Sequence, residues 1–261
     1  MRKPDFQKER AVSEVVPDTA LDALRQFGID GLDDYGRALR AACAASPPPF
    51  GFSWYGERYR YHASDPSWFA NSLIANAAKE GEGSSSLWKL SSRIRDEEVA
   101  DLVRRHAIDE SRHARFYISL LKLTFPELIG DIQAQQLVNL SPGYTARDHP
   151  EPTDPSPKEQ VFDELIQMNI GEVRTLIHQM LMGPVIVLHS PVNCRRRMQA
   201  LMNGLGRDER VHIGYTAKLI DAAAKEEPRL IYRLIERRVR EFNKLTLSEI
   251  GVRDVDPGAY E

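Results

Sequence analysis

Apolar residues recur at three- and four-residue steps along most of this chain, which is typical of helices that pack one face against a core. The pattern predicts four long helices, near residues 67–95, 99–121, 159–182 and 198–220. It contains neither the apolar-polar alternation of half-buried strands nor a glycine-rich dinucleotide-binding loop. We therefore expect an all-α protein.

Two of the predicted helices carry the same pattern, D-E-x-x-H, at residues 109–113 and 208–212. Residues three positions apart share one face of a helix, so Glu110 projects with His113, and Glu209 projects with His212. From the glutamate content and the 7 histidines, about half an E-x-x-H is expected by chance. Two copies, each preceded by aspartate, indicate a repeated functional unit.

Both copies interrupt an apolar stripe, so their side chains are expected to face a core. Burying a carboxylate without a partner costs several kcal/mol, which calls for a compensating cation. Two imidazoles and several carboxylates are typical ligands of a dinuclear iron or manganese site in a four-helix bundle. The stripes comprise Val99, Leu102, Val103, His106, Ala114, Tyr117 and Leu121 around the first copy, and Met198, Leu201, Met202, Leu205, Ile213, Thr216 and Ile220 around the second.

Such a site needs one further carboxylate from each of the other two helices. In the first helix, Glu80 shares an apolar face with Leu73 and Leu87. Glu80 and Glu110 lie equally far from a turn predicted near residues 95–96, so antiparallel packing would put them at similar height. Glu82 lies on a polar face but remains an alternative, because a Gly-Glu pair occurs both at 81–82 and at 171–172.

The third helix supplies Glu172, which shares its face with apolar residues from Leu165 to Met180, whereas Glu164 is a weaker candidate near the helix start. We expect the sequences Gly-Pro at 183–184 and Ser-Pro at 190–191 to break the chain before the fourth helix. Between the half-repeats, the proline-rich residues 126–157 are too long and broken for a tight hairpin. They predict a long crossover that joins two antiparallel helix pairs.

The order E, E-x-x-H, E, E-x-x-H over residues 67–224 resembles that of the ferritin-like diiron carboxylate proteins. The aspartate before each glutamate, with Arg112 in the first copy, is similar to the bacterial multicomponent monooxygenase hydroxylases, in which such aspartates hydrogen-bond to ligating histidines. The resemblance implies that Asp109 and Asp208 orient imidazole rings. The second copy departs from this resemblance, because it has Val211 at the position where that family has an arginine.

His106 lies on the same helix face as Glu110 and His113, so a third imidazole could join the cluster. The spacing H-x-x-x-E-x-x-H resembles that of the arylamine N-oxygenases, which carry an additional histidine ligand. Their extra histidine belongs to the second motif, where this chain has Leu205. A buried histidine that is satisfied by a neighbouring carboxylate is the competing interpretation.

The resemblance implies a non-haem diiron oxygenase or oxidase that hydroxylates or N-oxygenates a small organic substrate. It implies two iron ions or a manganese–iron pair, dioxygen as co-substrate, and a separate ferredoxin or reductase as electron donor. Glu110 and Glu209 would be the central catalytic ligands; an iron-storage protein and a diiron hydroxylase of modified tRNA are the alternatives. The full ligand set would be Glu80, Glu110, His113, Glu172, Glu209 and His212, with His106 as an alternative seventh ligand.

A net charge of −3 argues against a general nucleic-acid binder. The C-terminal basic residues are expected to be the solvated face of a packed helix. They are Arg229, Arg233, Arg237, Arg238, Arg240 and Lys244, and the apolar stripe beside them is Leu230, Ile231, Leu234, Ile235 and Phe242.

The chain has no long apolar run and only two cysteines, Cys43 and Cys194, so we expect a cytoplasmic protein without a membrane partner. We expect a homodimer in which residues 67–224 form a ferritin-like four-helix bundle. Residues 1–66 would add an N-terminal helical and aromatic-rich extension, and residues 225–261 a C-terminal helix and tail. The aromatic residues of 50–62 are expected to pack on the bundle, with a pocket cap or a dimer contact as alternatives.

Overall fold

The computed structural model describes residues 15–127 and 131–249. This part of the chain is helical and contains no strand, which confirms the all-α prediction. The outer ends of the predicted N-terminal extension and C-terminal tail, and three residues of the predicted crossover, lie outside the described residues. The helices are α1 (Val15–Gln26), α2 (Asp33–Ala45), α3 (Ser53–Ala63), α4 (Pro66–Ser91), α5 (Glu97–Thr124), α6 (Asp131–Val138), α7 (Lys158–His189), α8 (Arg195–Glu226) and α9 (Pro228–Glu249).

The described helices belong to two compact units. The first unit contains the described chain up to Tyr61, residues Phe162–Leu181 of α7, and the chain from Glu209 onward, which includes the end of α8 and all of α9. The second unit contains the end of α3, all of α4, α5 and α6, the first turn and the end of α7, and the start of α8 as far as Asp208. Each unit contains one of the two predicted pairs of carboxylate-bearing helix segments.

Helices α4 and α5 form the central antiparallel pair of the second unit. Asp65 caps α4 by accepting hydrogen bonds from the backbone N–H groups of Ser67 and Trp68 at 2.7 and 3.2 Å, and Asp96 caps α5 in the same way. Each cap stabilises its helix by about 1 kcal/mol. The turn predicted near residues 95–96 is therefore confirmed. The pairing places Glu80 of α4 beside Glu110 of α5.

The crossover that follows α5 contains the short helix α6 and then lies against α4. A Cβ atom at Gly81 would lie 1.9 Å from the carbonyl oxygen of Leu140, so only glycine allows this approach. Trp88 stacks on Tyr144 with ring centroids 4.1 Å apart. The crossover thereby packs on α4 one residue away from Glu80.

Helix α7 is longer than predicted. The expected break at residues 183–184 is wrong, because α7 continues through Pro184 and ends at the Ser-Pro sequence of 190–191. Proline removes one backbone hydrogen bond, to the carbonyl four residues earlier. That carbonyl belongs to Met180. Because Met180 is 61% exposed and Pro184 is also exposed, water can satisfy the freed carbonyl oxygen.

Met180 was also expected on the buried face of Glu172, and this prediction is wrong. The inward position at that turn is occupied by Gln179, which is 5% exposed. Seven residues make almost two full turns of a helix, so Gln179 projects in nearly the same direction as Glu172. Met180, eight positions after Glu172, projects to one side of that face. The apolar pattern gave the wrong position because the inward residue, Gln179, is polar and its outward neighbour, Met180, is apolar.

In the first unit, α7 and α8 run antiparallel. Asn169 of α7 donates a hydrogen bond to Thr216 of α8 at 2.9 Å, and Gln179 donates one to Glu209 at 2.7 Å. The residue numbers rise along α7 while those of their partners fall along α8. Two buried polar contacts therefore fix the register of the pair that carries Glu172, Glu209 and His212.

The remaining helices of the first unit pack on a shared apolar core. Ile231, Leu234 and Ile235 of α9 are buried, which confirms the predicted packed helix. Its basic face is solvated at Arg229, Arg233, Arg237, Arg240 and Lys244, whereas Arg238 is half-buried and pairs with Asp163. The N-terminal part of the described chain contributes α1 and α2 to this core. Buried Asp221 holds the start of α2 by accepting two backbone hydrogen bonds, at 2.9 and 3.0 Å.

Candidate metal centre

Glu80, Glu110 and His113 form a group of possible metal ligands in the second unit. Helix α5 projects Glu110 and His113 from successive turns of one face, and α4 supplies Glu80. One potential ligand atom of each lies within 4.8 Å of the other two, and His113 Nδ1 is 3.1 Å from Glu110 Oε1. Ligand atoms that bind one ion at about 2.1 Å are about 3 to 4 Å apart, so the group fits a metal ion after small side-chain shifts.

This group is shielded from water. Glu80 is 9% exposed, Glu110 is 3% exposed and His113 is fully buried. Burial alone would raise the pKa of the Glu110 carboxyl, but a hydrogen bond from Glu80 and the nearby rings of His113 and His106 hold that pKa well below its ordinary value. Two carboxyl groups this close favour a positive charge between them, which a shared proton or a metal ion supplies.

His106 contacts the same carboxylate. Its Nε2 lies 3.5 Å from Glu110 Oε1, one helical turn away, and its side chain is fully buried. His106 therefore lies beside the first group of possible ligands, and its pairing with Glu110 fits the competing interpretation of a histidine satisfied by a carboxylate.

Asp208 lies against the other ring nitrogen of His113. Its Oδ2 is 3.4 Å from His113 Nε2 and accepts a hydrogen bond from Arg112 at 2.8 Å. Arg112 also pairs with Asp109, at 2.7 Å. With Nδ1 turned toward Glu110, the Nε2–H of His113 donates to Asp208, which fixes the ring orientation that ligation by Nδ1 requires.

Asp208 is held in its charged form. Burial alone would raise its pKa, but the hydrogen bonds from His113 and Arg112 and the positive charge of Arg112 hold the pKa well below its ordinary value. An aspartate from the second motif thus contacts the histidine of the first motif. Local periodicity does not predict this contact between the two copies, because the contact depends on how α5 and α8 pack.

The second copy of the motif repeats the arrangement in part: Glu172 and His212 offer ligand atoms within 4.8 Å of each other, but Glu209 belongs to no group of potential ligands among the described residues. Glu172 is 5% exposed, Glu209 is fully buried and His212 is 1% exposed. His212 Nδ1 lies 3.6 Å from Glu209 Oε2, so each E-x-x-H turns the same ring nitrogen toward its own glutamate. Gln179 Nε2 donates a hydrogen bond to Glu209 Oε1 at 2.7 Å.

The other candidate carboxylates lie elsewhere. Glu82 is exposed, on the solvated side of α4, and Glu164 is half-buried near the start of α7. Neither belongs to a group of potential metal ligands among the described residues. The structure therefore brings Glu80, and not Glu82, to the side chains of the first motif.

A polar network that the apolar periodicity did not predict lies on the neighbouring face of α7. The hydroxyl of Tyr55 lies 2.8 Å from His178 Nε2, and Arg174 donates to Thr246 at 2.9 Å and pairs with Glu249. Phe50 and Tyr59 also contact the His178 ring, with centroids 6.1 and 6.2 Å away. These aromatic side chains pack on α7, as the packing interpretation of residues 50–62 predicts.

Comparison of the chain with protein-family models, with curated proteins and with solved structures gives no match. Among the described residues, no helix is both long enough and apolar enough to cross a lipid bilayer.

Proposed function

We propose that this protein is a dioxygen-activating oxidoreductase with a dinuclear metal centre, built on a ferritin-like four-helix arrangement. The observation that carries the proposal is the repeated set of buried side chains. In each motif the glutamate and the histidine are buried and lie close together, and a buried glutamate of a second helix lies near Glu110 and His113 in the first motif and near His212 in the second. The two sets are Glu80, Glu110 and His113, and Glu172, Glu209 and His212, with His106 beside the first.

The donor set favours iron. Four carboxylates and two imidazoles suit the hard and borderline metals of diiron or manganese–iron proteins better than they suit copper. A metal pair bound by this set would supply the activation of dioxygen that protein side chains cannot perform. Glu110 and Glu209 are central to the proposal because each lies beside the histidine of its own motif and is buried almost completely.

The protein's own groups would hold and orient this centre. Asp208 keeps Nδ1 of His113 directed toward Glu110, and we expect Asp109 to take part in the same polar arrangement through Arg112. The burial of the ligand set keeps bulk water from its carboxylates. We expect the electrons to come from a separate ferredoxin or reductase and the substrate to be a small organic molecule.

The first test is metal content. We expect wild-type protein loaded with Fe²⁺ under anaerobic conditions to bind about two ions per chain, as in other four-helix dinuclear sites. Glu110→Ala and Glu209→Ala should each lose most of this metal while keeping wild-type helicity by circular dichroism. Glu82→Ala removes an exposed carboxylate from α4 and should leave the iron content unchanged.

The second test separates oxidation from storage. Rapid mixing of the Fe²⁺-loaded protein with dioxygen should give a transient visible absorption that is absent from the Glu110→Ala variant. Many iron ions per chain without a transient would favour storage. Absence of stoichiometric metal in the wild-type protein would contradict the proposed centre.

A further inference from the structure

Gln179 is a buried polar residue beside the second motif. It lies on α7 seven positions after Glu172, on the same face, and is 5% exposed. Its Nε2 donates a hydrogen bond of 2.7 Å to Oε1 of Glu209. A glutamine on a core face is unfavourable unless both ends of its amide are satisfied, because each unsatisfied buried group costs about 1–3 kcal/mol.

The orientation of the amide follows from this contact. A carboxylate only accepts hydrogen bonds, so the NH₂ end of Gln179 must face Glu209 and the carbonyl end must point away from it. The carbonyl oxygen Oε1 is buried and has no hydrogen-bond partner among the described residues. The side chain therefore carries one satisfied donor and one buried acceptor next to a proposed metal ligand.

Two consequences follow for a molecule that enters this site. A buried acceptor attracts a group with an N–H or O–H, and it disfavours another acceptor or a bare hydrocarbon. The carboxylate of Glu209 lies on the donor side of the same amide, so Gln179 also limits the orientations that this carboxylate can take.

We propose that Gln179 positions Glu209 and determines specificity by accepting a hydrogen bond from an N–H or O–H group of the bound substrate. The substrate class is then small molecules with an amine or hydroxyl group near the atom that is oxidised. This inference rests on the proposed function, because it needs a metal centre at Glu209. A water molecule bound to that centre offers the same donor chemistry and is the other source that the experiment must distinguish.

The test uses full-length protein loaded with Co²⁺, whose visible spectrum reports on the ligands without any catalytic turnover. Aniline carries N–H donors, and N,N-dimethylaniline has the same ring without them. We expect wild-type protein to bind aniline more tightly than N,N-dimethylaniline in spectroscopic titrations. Gln179→Met keeps much of the side-chain volume and should weaken aniline binding about tenfold, the value of one hydrogen bond, while it changes N,N-dimethylaniline binding less than about twofold.

Gln167→Met is the matched control, because Gln167 is an exposed glutamine on the same helix. It should bind both probes as the wild type does. The positioning role predicts a second effect that simple packing would not cause: the Co²⁺ spectrum of Gln179→Met should differ from that of the wild type even without a probe, at unchanged helicity.

The possible results distinguish a substrate donor from a metal-bound water, and the role of Gln179 from the proposed metal centre. A changed probe-free spectrum with both probes bound as in the wild type would assign the donor to a metal-bound water and overturn the substrate role. Equal weakening of both probes, or no preference of the wild type for aniline, would overturn the specificity role while leaving the metal centre intact. If wild-type protein bound no Co²⁺, the proposed function would fail and this inference would fail with it.

Discussion

The two ring nitrogens of His113 face different carboxylates: Nδ1 lies near Glu110, and Nε2 lies near Asp208. A histidine that binds a metal through one nitrogen is held in place by the acceptor at the other, and removal of that acceptor typically lowers metal affinity by about 10- to 100-fold. Asp208 also accepts from Arg112, so its carboxylate is itself fixed. The orientation of the first histidine thus depends on a residue of the second motif.

We therefore expect Asp208→Asn to lower the affinity for Co²⁺ by about tenfold or more, because a neutral amide holds the imidazole N–H less strongly than a carboxylate does. Competition with a chelator of known affinity measures the change. Asp101→Asn alters a partly exposed aspartate on α5 that pairs with Arg104, and it should bind Co²⁺ as the wild type does. Equal affinity in both variants would show that Asp208 does not support the ligand.

At the scale of elements, the contact between α4 and the crossover depends on one glycine. Gly81 lets the carbonyl of Leu140 approach the helix where any Cβ would collide with it at 1.9 Å. Backbone atoms cannot move aside as the end of a flexible side chain can. The contact therefore fixes the crossover beside the turn of α4 that carries Glu80.

We expect Gly81→Ala to lower the free energy of unfolding by about 1–3 kcal/mol, the usual cost of overpacking. Gly183→Ala is the matched control, because no atom lies within 4 Å of a Cβ built at this helical glycine. Alanine has the higher helix propensity, so this control should be neutral or stabilise by up to about 1 kcal/mol. Urea unfolding of both variants measures the difference, and similar free energies for the two would contradict the close approach.

At the scale of the whole molecule, the proposed metal centre would link folding stability to metal binding, because its ligands include buried carboxylates. Buried anions without a cation disfavour the folded state, and a ligand that binds only the folded state stabilises it by mass action. At about 100 times the dissociation constant, this gain is about 2.7 kcal/mol.

We therefore expect anaerobic Fe²⁺ to raise the melting temperature by about 5 to 10 °C, and a chelator to reverse the rise. The Glu110→Ala variant should show little of this shift, because the proposed site has lost a ligand. Differential scanning calorimetry with and without metal measures both. An equal rise in the wild type and the variant would indicate that iron binds elsewhere.

Much of the helical arrangement could be predicted from the chain. The spacing around residues 95–96 predicted the α4–α5 turn, in which Asp96 caps the start of α5. Most residues of the apolar stripes around both motifs are buried, and Val99, Leu102, Leu201 and Met202 are half-buried. The helix break near Pro184 could not be predicted correctly, because a proline is tolerated when its neighbouring carbonyl can reach water, and exposure is not visible in sequence.

The sequence by itself determined the helical class and the faces of the two motifs, since residues three or four apart on a helix must project together. It also favoured Glu80 over Glu82, because the apolar residues around Glu80 predict burial. Only the tertiary structure decided that Asp208 contacts His113, that Gln179 faces Glu209, and that Leu140 approaches Gly81. These contacts join residues between 30 and 95 positions apart in the sequence. Local periodicity carries no information about such pairs, because they depend on the register and packing of different segments.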